Sequence, residues 1–462
     1  MMDNMSTGVN KNVTLLITAI SVFVSPFMVS AVNIALPTIG KEFSMGAVLL
    51  GWVATCFLLP SAALLVPFGR LADIYGRKKI FLCGMSLFTV SSLLGGISSS
   101  AVMLIAFRVL QGISGAMTVG TAVAILTSVF PAEERGRAIG TNMAATYLGL
   151  SLGPFLGGIL TQHLSWRSIF FISSFLGLVV VILASWRLKG EWAEARGEKF
   201  DVFGSIAVGL SIIVGMYGFT VLPTMPGIVL VLLGIAGMLI FVRWELRVKS
   251  PVFNISLFKK NAAFIFSNMA TLINYVSAFA MAFLLSLYLQ YNIGLSPQTA
   301  GLISVVSPVF MTIFAPLAGR LSDRIEPRLV ASAGLALTCI ALFLFTFLSD
   351  ETALAFIITG MAIYGIGTGF FSSPNTNAVM SSVENRFLGV ASGTVATMRS
   401  IGMMLSMGIV MILFSIYIGQ AEITPEYYPA FLTSAKVGFI IFTALCFGGI
   451  FIQLAGKKVD RK

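Results

Sequence analysis

The residues best suited to chemistry are one carboxylate and several arginines that border or interrupt long apolar runs. Asp73 and Arg77 stand four residues apart in a glycine-rich turn, where a carboxylate and a guanidinium can pair. Arg108 and Arg399 lie well inside apolar runs, where a charge costs at least about 2.5 kcal/mol and normally faces a protein interior or a wet cavity. Arginine does not deprotonate in proteins, so these two side chains are suited to electrostatic binding and not to proton transfer.

Acidic and metal-binding residues are scarce in the apolar runs. All 18 Asp and Glu residues fall in predicted loops, in tails or at the ends of runs. The four cysteines lie inside apolar runs without paired spacing, and the single histidine, His163, falls in a predicted loop, so neither a metal site nor a disulfide framework is predicted. We find no nucleophile–base pair and no phosphate-binding loop, so the sequence predicts neither an enzyme nor an ATP-driven pump, and no cofactor.

The elements that carry these residues are long enough to cross a bilayer. Of the 462 residues, 57% are hydrophobic and 10% are charged, which excludes a soluble enzyme or a nucleic-acid binder and makes the lipid bilayer the predicted partner. A spanning helix needs about 20 mostly apolar residues. Fourteen runs meet that need, at 13–36, 48–68, 79–98, 102–128, 138–161, 167–188, 202–222, 226–244, 263–291, 298–317, 329–348, 353–376, 388–416 and 436–456.

Basic residues predict the orientation of these spans. With the N-terminus in the cytoplasm, 24 Lys and Arg residues fall in inner segments, and only Lys41, Arg167 and Lys436 fall in outer ones. Positive charge accumulates on the cytoplasmic side of membrane proteins. We therefore expect both termini in the cytoplasm of a plasma-membrane protein, and the net charge of +11 mainly reflects this topology.

A repeat divides the chain into two halves. Pro67–Asp73 and Pro316–Asp323 place a similar charged turn at the inner end of a span, about 250 residues apart. Secondary transporters are built from such repeats, with the substrate site between the halves. The predicted layout is a cytoplasmic tail (1–12), a six-helix bundle (13–188), a two-helix insertion with flanking cytoplasmic segments (189–262), a second six-helix bundle (263–456) and a second tail (457–462).

The turn Gly69-Arg-Leu-Ala-Asp-Ile-Tyr-Gly-Arg-Lys-Lys79 resembles the G-x-L-a-D-r-x-G-r-k motif of the major facilitator superfamily. The resemblance implies the all-α major facilitator fold, with two extra central helices to make fourteen spans. It also implies that Asp73 and Arg77 form a cytoplasmic latch between the halves, which must break when the transporter changes its facing. In the second copy Glu326 and Pro327 stand where Gly76 and Arg77 would be, so this latch is predicted to be weaker.

A second resemblance lies in span five, whose glycines match the superfamily's antiporter motif G-x-x-x-G-P-x-x-G-G. Glycines at every fourth position let another backbone approach, and a proline adds a kink that rocking halves can use. We expect this segment at the interface between the halves. It comprises Gly149, Gly153, Pro154, Gly157 and Gly158.

Arg108 through Gly112 resembles the superfamily's R-x-x-q-G motif, and Arg399 resembles an arginine of the fourteen-span drug:proton antiporters, the multidrug efflux branch. That branch usually has an acidic residue in span one, and here Met28 takes its place. A buried carboxylate can attract cations and carry a proton. We therefore expect a preference for neutral or anionic compounds over dications, with Asp73 as the leading proton carrier and Arg108 as a further latch or coupling residue.

Analogy with the superfamily places the first, second, fourth and fifth spans of each half around the substrate cavity. Methionine and aromatic side chains there could form an adaptable apolar wall, although each is equally suited to helix packing. The cavity candidates are Met28, Asn33, Arg108, Gln111, Asn142, Tyr147, Asn274, Tyr275, Tyr364, Asn375 and Arg399.

Together these features predict a monomeric exporter of small amphipathic or drug-like compounds that works by alternating access in exchange for protons, a function that could confer drug resistance. One alternative is an exporter of an anionic metabolite built around the buried arginines Arg108 and Arg399. A second alternative is a membrane sensor that binds a ligand and transports nothing.

Overall fold

The computed structural model describes residues 10–248, 261–383 and 388–456, and in these ranges the regular structure is helical. Most of the two predicted tails and part of the segment after the insertion lie outside the described residues. Every backbone polar group in a bilayer must be satisfied internally, which favours uninterrupted helices in apolar runs of this length. Fourteen helical segments are long and apolar enough to cross a membrane, which confirms the predicted spans.

The first half contains α1 (Lys11–Glu42), α2 (Ala47–Tyr75), α3 (Arg77–Gly96), α4 (Ala101–Val129), α5 (Ala132–His163) and α6 (Arg167–Arg187). Side chains cap several helix starts, as where Ser100 accepts a hydrogen bond from the backbone N–H of Met103. Within this half α1 packs against α5, while α4 packs against α2 and α3.

The second half contains α9 (Ala262–Tyr291), α10 (Pro297–Ser304), α11 (Val306–Arg324), α12 (Pro327–Phe345), α13 (Leu354–Ser381), α14 (Leu388–Tyr417) and α15 (Tyr428–Ala455). Here α13 packs against α11 and α12, and α9 packs against α14 and α15. The predicted span 298–317 is divided into α10 and α11, which together make one crossing. Pro308 explains the break, because it has no N–H to donate to the carbonyl of Ser304.

Between the halves lies a hairpin of α7 (Val202–Val221) and α8 (Met225–Glu245). Helix α7 contacts both α2 and α14, so the hairpin spans the line along which the two halves meet. Its contact surface is a small apolar cluster of Ala62, Ala63, Val208, Ile212, Met216, Phe241 and Met404. Gly408 of α14 lies against Met216 and Phe219, which lets the two helices approach closely.

Both described ends, residues 10 and 456, lie on one side of the helix array, because the number of crossings is even. We call this the terminal side, and the other the opposite side. The carboxylates within helices lie at or near helix ends, as for Glu42 at the end of α1 and Asp73 two residues before the end of α2. Lys436, predicted in an outer loop, instead lies eight residues into α15, because that helix begins earlier than its apolar run.

Candidate functional site

The α2–α3 turn on the terminal side is built around Gly76 and Arg77. Gly76 has a φ of 120°, a backbone conformation that glycine adopts at no steric cost and other residues rarely do. This turn ends α2 and begins α3 at once, so Asp73 and Arg77 lie one helical turn apart. Nε and Nη2 of Arg77 both donate to Oδ1 of Asp73, at 3.0 and 2.9 Å. The predicted carboxylate–guanidinium pair is therefore formed.

Arg77 also has partners that sequence reasoning did not identify. Its Nη1 donates to Oγ of Ser128 at 2.6 Å and to Oε1 of Glu194 at 2.7 Å. Ser128 lies at the end of α4, and Glu194 lies in the segment that leads from α6 to α7. The guanidinium is buried, with 9% of the side chain exposed, and these contacts are within the first half and its following segment.

In the second half the equivalent arginine is displaced by one position. Pro327 begins α12, and Arg328 pairs with Glu326 at 2.5 Å. Arg328 also donates to the backbone carbonyls of Leu454 and Gly456 at the end of α15. The turn in this half is therefore tied to the last helix of its own bundle, in the manner in which Arg77 is tied to the segment after α6.

Arg108 is enclosed inside the first bundle. Its side chain is 1% exposed, Nε donates to the carbonyl of Val53 at 3.0 Å, and Nη1 donates to Oε1 of Gln111 at 3.0 Å. Its guanidinium lies 4.9 Å from the ring centre of Phe57, and Gln111 donates onward to Ser92. The arginine thus connects α4 to α2 directly and to α3 through Gln111, which makes it a positioning residue of this bundle rather than a wall of a cavity.

Arg399 has a different environment. It is partly exposed, and its guanidinium lies 5.1 Å from the ring centre of Tyr275, which faces it from α9. Its Nε is buried without a hydrogen-bond partner among the described residues. A guanidinium over an aromatic face is stabilised by the ring quadrupole and keeps its N–H groups available. Of the two arginines in the spans, Arg399 is therefore the one able to contact a ligand.

The other cavity candidates differ in how far their polar atoms are satisfied. Three candidates contact residues of their own half. Met28 lies beside Ser92, the hydroxyl of Tyr364 donates to the carbonyl of Ala278, and Nδ2 of Asn375 donates to Thr271. Unmet polar atoms remain on Asn142 (Nδ2), Asn274 (Oδ1) and Asn375 (Oδ1), all buried and without a partner for that atom among the described residues. Tyr147 and Tyr275 are partly exposed, and the backbone carbonyl of Asn33 accepts a hydrogen bond from Ser286 of the second half.

The predicted glycine interface is formed by only part of the motif. Gly149, Gly153 and Gly157 lie against the backbone and small side chains of α1, in the same half. They share one helix face because of their four-residue spacing, and that face is turned to α1. Gly158 points elsewhere and lies against Pro297 of α10, while the carbonyl of Pro154 lies against Gly301. Within this motif, Pro154 and Gly158 therefore meet the second half, whereas the other three glycines pack against α1.

Hydrogen bonds between the halves cluster near the opposite side. Ser286 donates to the carbonyl of Asn33 at 2.9 Å, and Gln290 donates to that of Ile34 at 3.0 Å. The backbone N–H of Ala47 donates to the carbonyl of Ala421 at 2.9 Å. His163, at the end of α5, contacts Gln298 with its ring nitrogen at 2.9 Å. These contacts hold α1 to α9, the start of α2 to the segment after α14, and α5 to α10.

The terminal-side ends of the seam helices are loose by comparison. A Cβ added to Gly69 of α2, to Gly136 or Gly140 of α5, or to Gly393 of α14 would meet nothing within 4 Å. A Cβ on Gly46, just before α2, would instead collide with the carbonyl of Gln420, and one on Gly51 would be in tight contact with the side chain of Met411, both in the second half. The seam between the halves is therefore tight at the opposite side and open at the terminal side.

Two packed helix bundles that meet along a seam open at one side and closed at the other define a membrane transport protein, since this geometry exposes an interior site to one side at a time. The model of the Major Facilitator Superfamily matches residues 18–244 and 268–459, and the chain belongs to that family. The family consists of transporters, and the chain is not an enzyme.

Relatives with assigned transport roles cover most of the chain. The riboflavin transporter RibZ of Clostridioides difficile is 29% identical over 98% of this chain and 99% of its own length. The multidrug resistance protein Stp of Mycobacterium tuberculosis is 31% identical over 84% of this chain and 73% of its own length. The drug efflux pump JefA of the same species is 30% identical over 85% and 78%.

Solved structures agree with the fold. A peptide transporter POT in complex with sulfate superposes with a TM-score of 0.72 over 97% of both chains, at 14% identity. The human organic anion transporter MFSD10 gives a TM-score of 0.65 over 96% of this chain and 99% of that one, also at 14% identity. At this identity the likeness concerns the fold alone.

Proposed function

We propose that the chain exports small amphipathic compounds from the cytoplasm by alternating access, in exchange for protons. The observation that carries this proposal is the seam, closed on the opposite side and open on the terminal side, where the basic turns lie. If basic loops face the cytoplasm, the open side faces the compartment from which an exporter loads its cargo. The names of the relatives Stp and JefA support drug-like cargo.

Proton exchange needs a group that can gain and lose a proton. Asp73 is our proposed carrier, because its helix holds it at the terminal-side edge and its ion pair with Arg77 is broken when the carboxylate is neutralised. Protonation would then be coupled directly to the α2–α3 turn. With no carboxylate in the middle of the described spans, we expect neutral or anionic compounds to be carried in preference to dications.

A second candidate function is transport of an anionic or flavin-like metabolite. Arg399 supports it, because its guanidinium is stacked on Tyr275 with an unmet Nε, an arrangement that suits an anion or a planar heteroaromatic ring. The relative RibZ, similar over nearly its whole length, is a riboflavin transporter. Arg108 no longer contributes to this candidate, because its polar groups are engaged inside the first bundle.

The test is transport by purified protein in liposomes with a pH dye inside. A dicationic, a neutral (riboflavin) and an anionic amphiphile are added in turn, and internal pH and cargo are both followed. Cargo-dependent proton movement that is lost in Asp73→Asn supports the exchanger. Equal or better transport of the dication contradicts the predicted preference. Transport of the anion without protons supports the second candidate, and failure of every compound in counterflow supports a sensor that transports nothing.

A further inference from the structure

The segment between α6 and α7 lies directly on the α2–α3 turn. We call residues 190–198 the strap. Its backbone pairs with the turn at two points: the N–H of Arg77 donates to the carbonyl of Trp192 at 2.8 Å, and the N–H of Ala195 donates to the carbonyl of Asp73 at 2.9 Å. These two bonds fix the register of the strap on the turn, so its side chains meet defined partners.

Three carboxylates of the strap bind three donors of this basic turn. Glu191 accepts a hydrogen bond from the backbone N–H of Lys78 at 2.8 Å, at the start of α3. Glu194 accepts from Nη1 of Arg77 at 2.7 Å, and Glu198 accepts from Nη2 of Arg70 at 2.5 Å. The positive end of the α3 dipole and the basic side chains favour this acidic segment. The charges of strap and turn are therefore complementary along their whole contact.

The strap is also connected to the hairpin that lies on the seam. Asp201, three residues after the strap, caps α7 by accepting from the N–H of Gly204 and accepts a second hydrogen bond from Nε1 of Trp244 at the end of α8. Helix α7 packs against α2 and α14. The strap is thus held at one end by α6 and at the other by a hairpin that touches both halves.

From these contacts we infer that the strap stabilises the state that is open at the terminal side. It does so by binding Arg77, which is then not free to bind the second half. This inference rests on the alternating access proposed above. Helix α14 is a second-half helix that packs against α2, so closure of the terminal side would bring the Asp73–Arg77 pair toward α14. Nη1 of Arg77 must then leave Glu194, and the strap must shift or separate from the turn. Glu194 is therefore a positioning residue that sets the balance between the two states.

The role of the strap can be tested by measuring the distance between α5 and α11 on the terminal side. Spin labels are placed through Gly140→Cys and Leu317→Cys, with the native cysteines replaced, because both positions have space for a label and lie away from the strap. Pulsed electron resonance of the full chain in nanodiscs then gives the populations of open and closed states. We expect Glu194→Gln to raise the closed-to-open ratio about two- to fivefold, the range for one ion pair whose carboxylate is exposed.

Glu134→Gln is the matched control. It removes the same charge on the same side of the membrane and breaks one ion pair outside the turn, that of Glu134 with Lys11 at 3.0 Å, in which both side chains are about half exposed. We expect its distance distribution to equal that of the wild type. A Glu194→Gln distribution equal to wild type, while the wild type itself shows two distances, would overturn the role of the strap and leave alternating access standing. A single distance in the wild type at every pH and with every compound would instead overturn alternating access.

Discussion

The two arginines inside the spans look equivalent as sequence and differ entirely in their surroundings. Arg108 has hydrogen-bond partners from α2 and α4 and is closed off, whereas Arg399 is partly exposed and rests on one aromatic ring. An intramembrane charge in a sequence indicates that the side chain faces a protein interior or a wet cavity, and the sequence does not distinguish these two environments. Which environment it is depends on contacts between distant helices, such as Val53 with Arg108, that no local pattern encodes.

Replacing Arg108 is therefore expected to weaken the protein rather than change its cargo. In Arg108→Gln the carbonyl of Val53 and the amide of Gln111 lose a charged donor, at a cost of about 1 to 3 kcal/mol. Thermal unfolding in detergent should occur several degrees lower, and transport of all compounds should fall together. Selective loss of anionic compounds at unchanged stability would contradict this assignment.

Arg399 should behave in the reverse way. In Arg399→Gln we expect anionic transport to fall about tenfold, because a half-buried charge is lost, while thermal stability changes little. Arg399→Lys is the matched control, since it keeps the charge over Tyr275 but not the planar fork. The measurement is the initial transport rate in liposomes for anionic and for neutral compounds. An equal fall in both rates would contradict a role of Arg399 in binding anions.

The helices extend beyond the apolar runs that predict them. Helix α2 continues from the predicted end at 68 to Tyr75 and carries the Asp73 turn, and α15 begins eight residues before its predicted start. Apolar runs mark the length inside lipid, whereas backbone hydrogen bonds continue into water. The number and order of spans could be predicted, but the ends, the break before α11 and the direction of the glycine face on α5 depend on packing partners and could not.

At this scale the crossing of α5 and α10 offers a direct test. A methyl group at Gly158 would overlap the carbonyl of Pro297, so Gly158→Ala should push the halves apart at the opposite side. We expect most transport to be lost and labels on that side to separate. Gly140→Ala on the same helix has open space and gains helix propensity of about 0.5 to 1 kcal/mol, so its stability should not fall. Equal transport by the two variants would exclude a functional crossing.

For the whole molecule, the fold could be predicted from composition, from the repeat and from the motif of the α2–α3 turn, because each of these is a local property of the sequence. The state of the seam could not be predicted, since a sequence encodes both facings of a transporter at once. The strap could not be predicted either: its three glutamates lie in a predicted cytoplasmic segment beside the insertion, and only the structure shows that Glu194 contacts Arg77. The available signal was the run of three carboxylates itself, in a segment predicted on the same side of the membrane as the basic turn.

Orientation remains a prediction with a simple test. If both termini are cytoplasmic, a membrane-impermeant maleimide on intact cells should label Glu351→Cys, in the loop before α13, and should not label Arg196→Cys on the strap. Both side chains are exposed, and the native cysteines are replaced in each variant. Opening the cells should allow labelling of both positions. Labelling of position 196 in intact cells would contradict the predicted topology and, with it, the proposed direction of transport.

The hairpin of α7 and α8 makes the two flanks of the molecule unequal. Along one flank, where α2 meets α14, the hairpin adds a second layer of helices between the seam and the surrounding lipid. Along the other flank α5 meets α10 and α11, and the described residues place no such layer over them. The space between the halves is therefore separated from the surrounding lipid by an extra layer of helix along the α2–α14 flank, and among the described residues by no such layer along the α5–α11 flank.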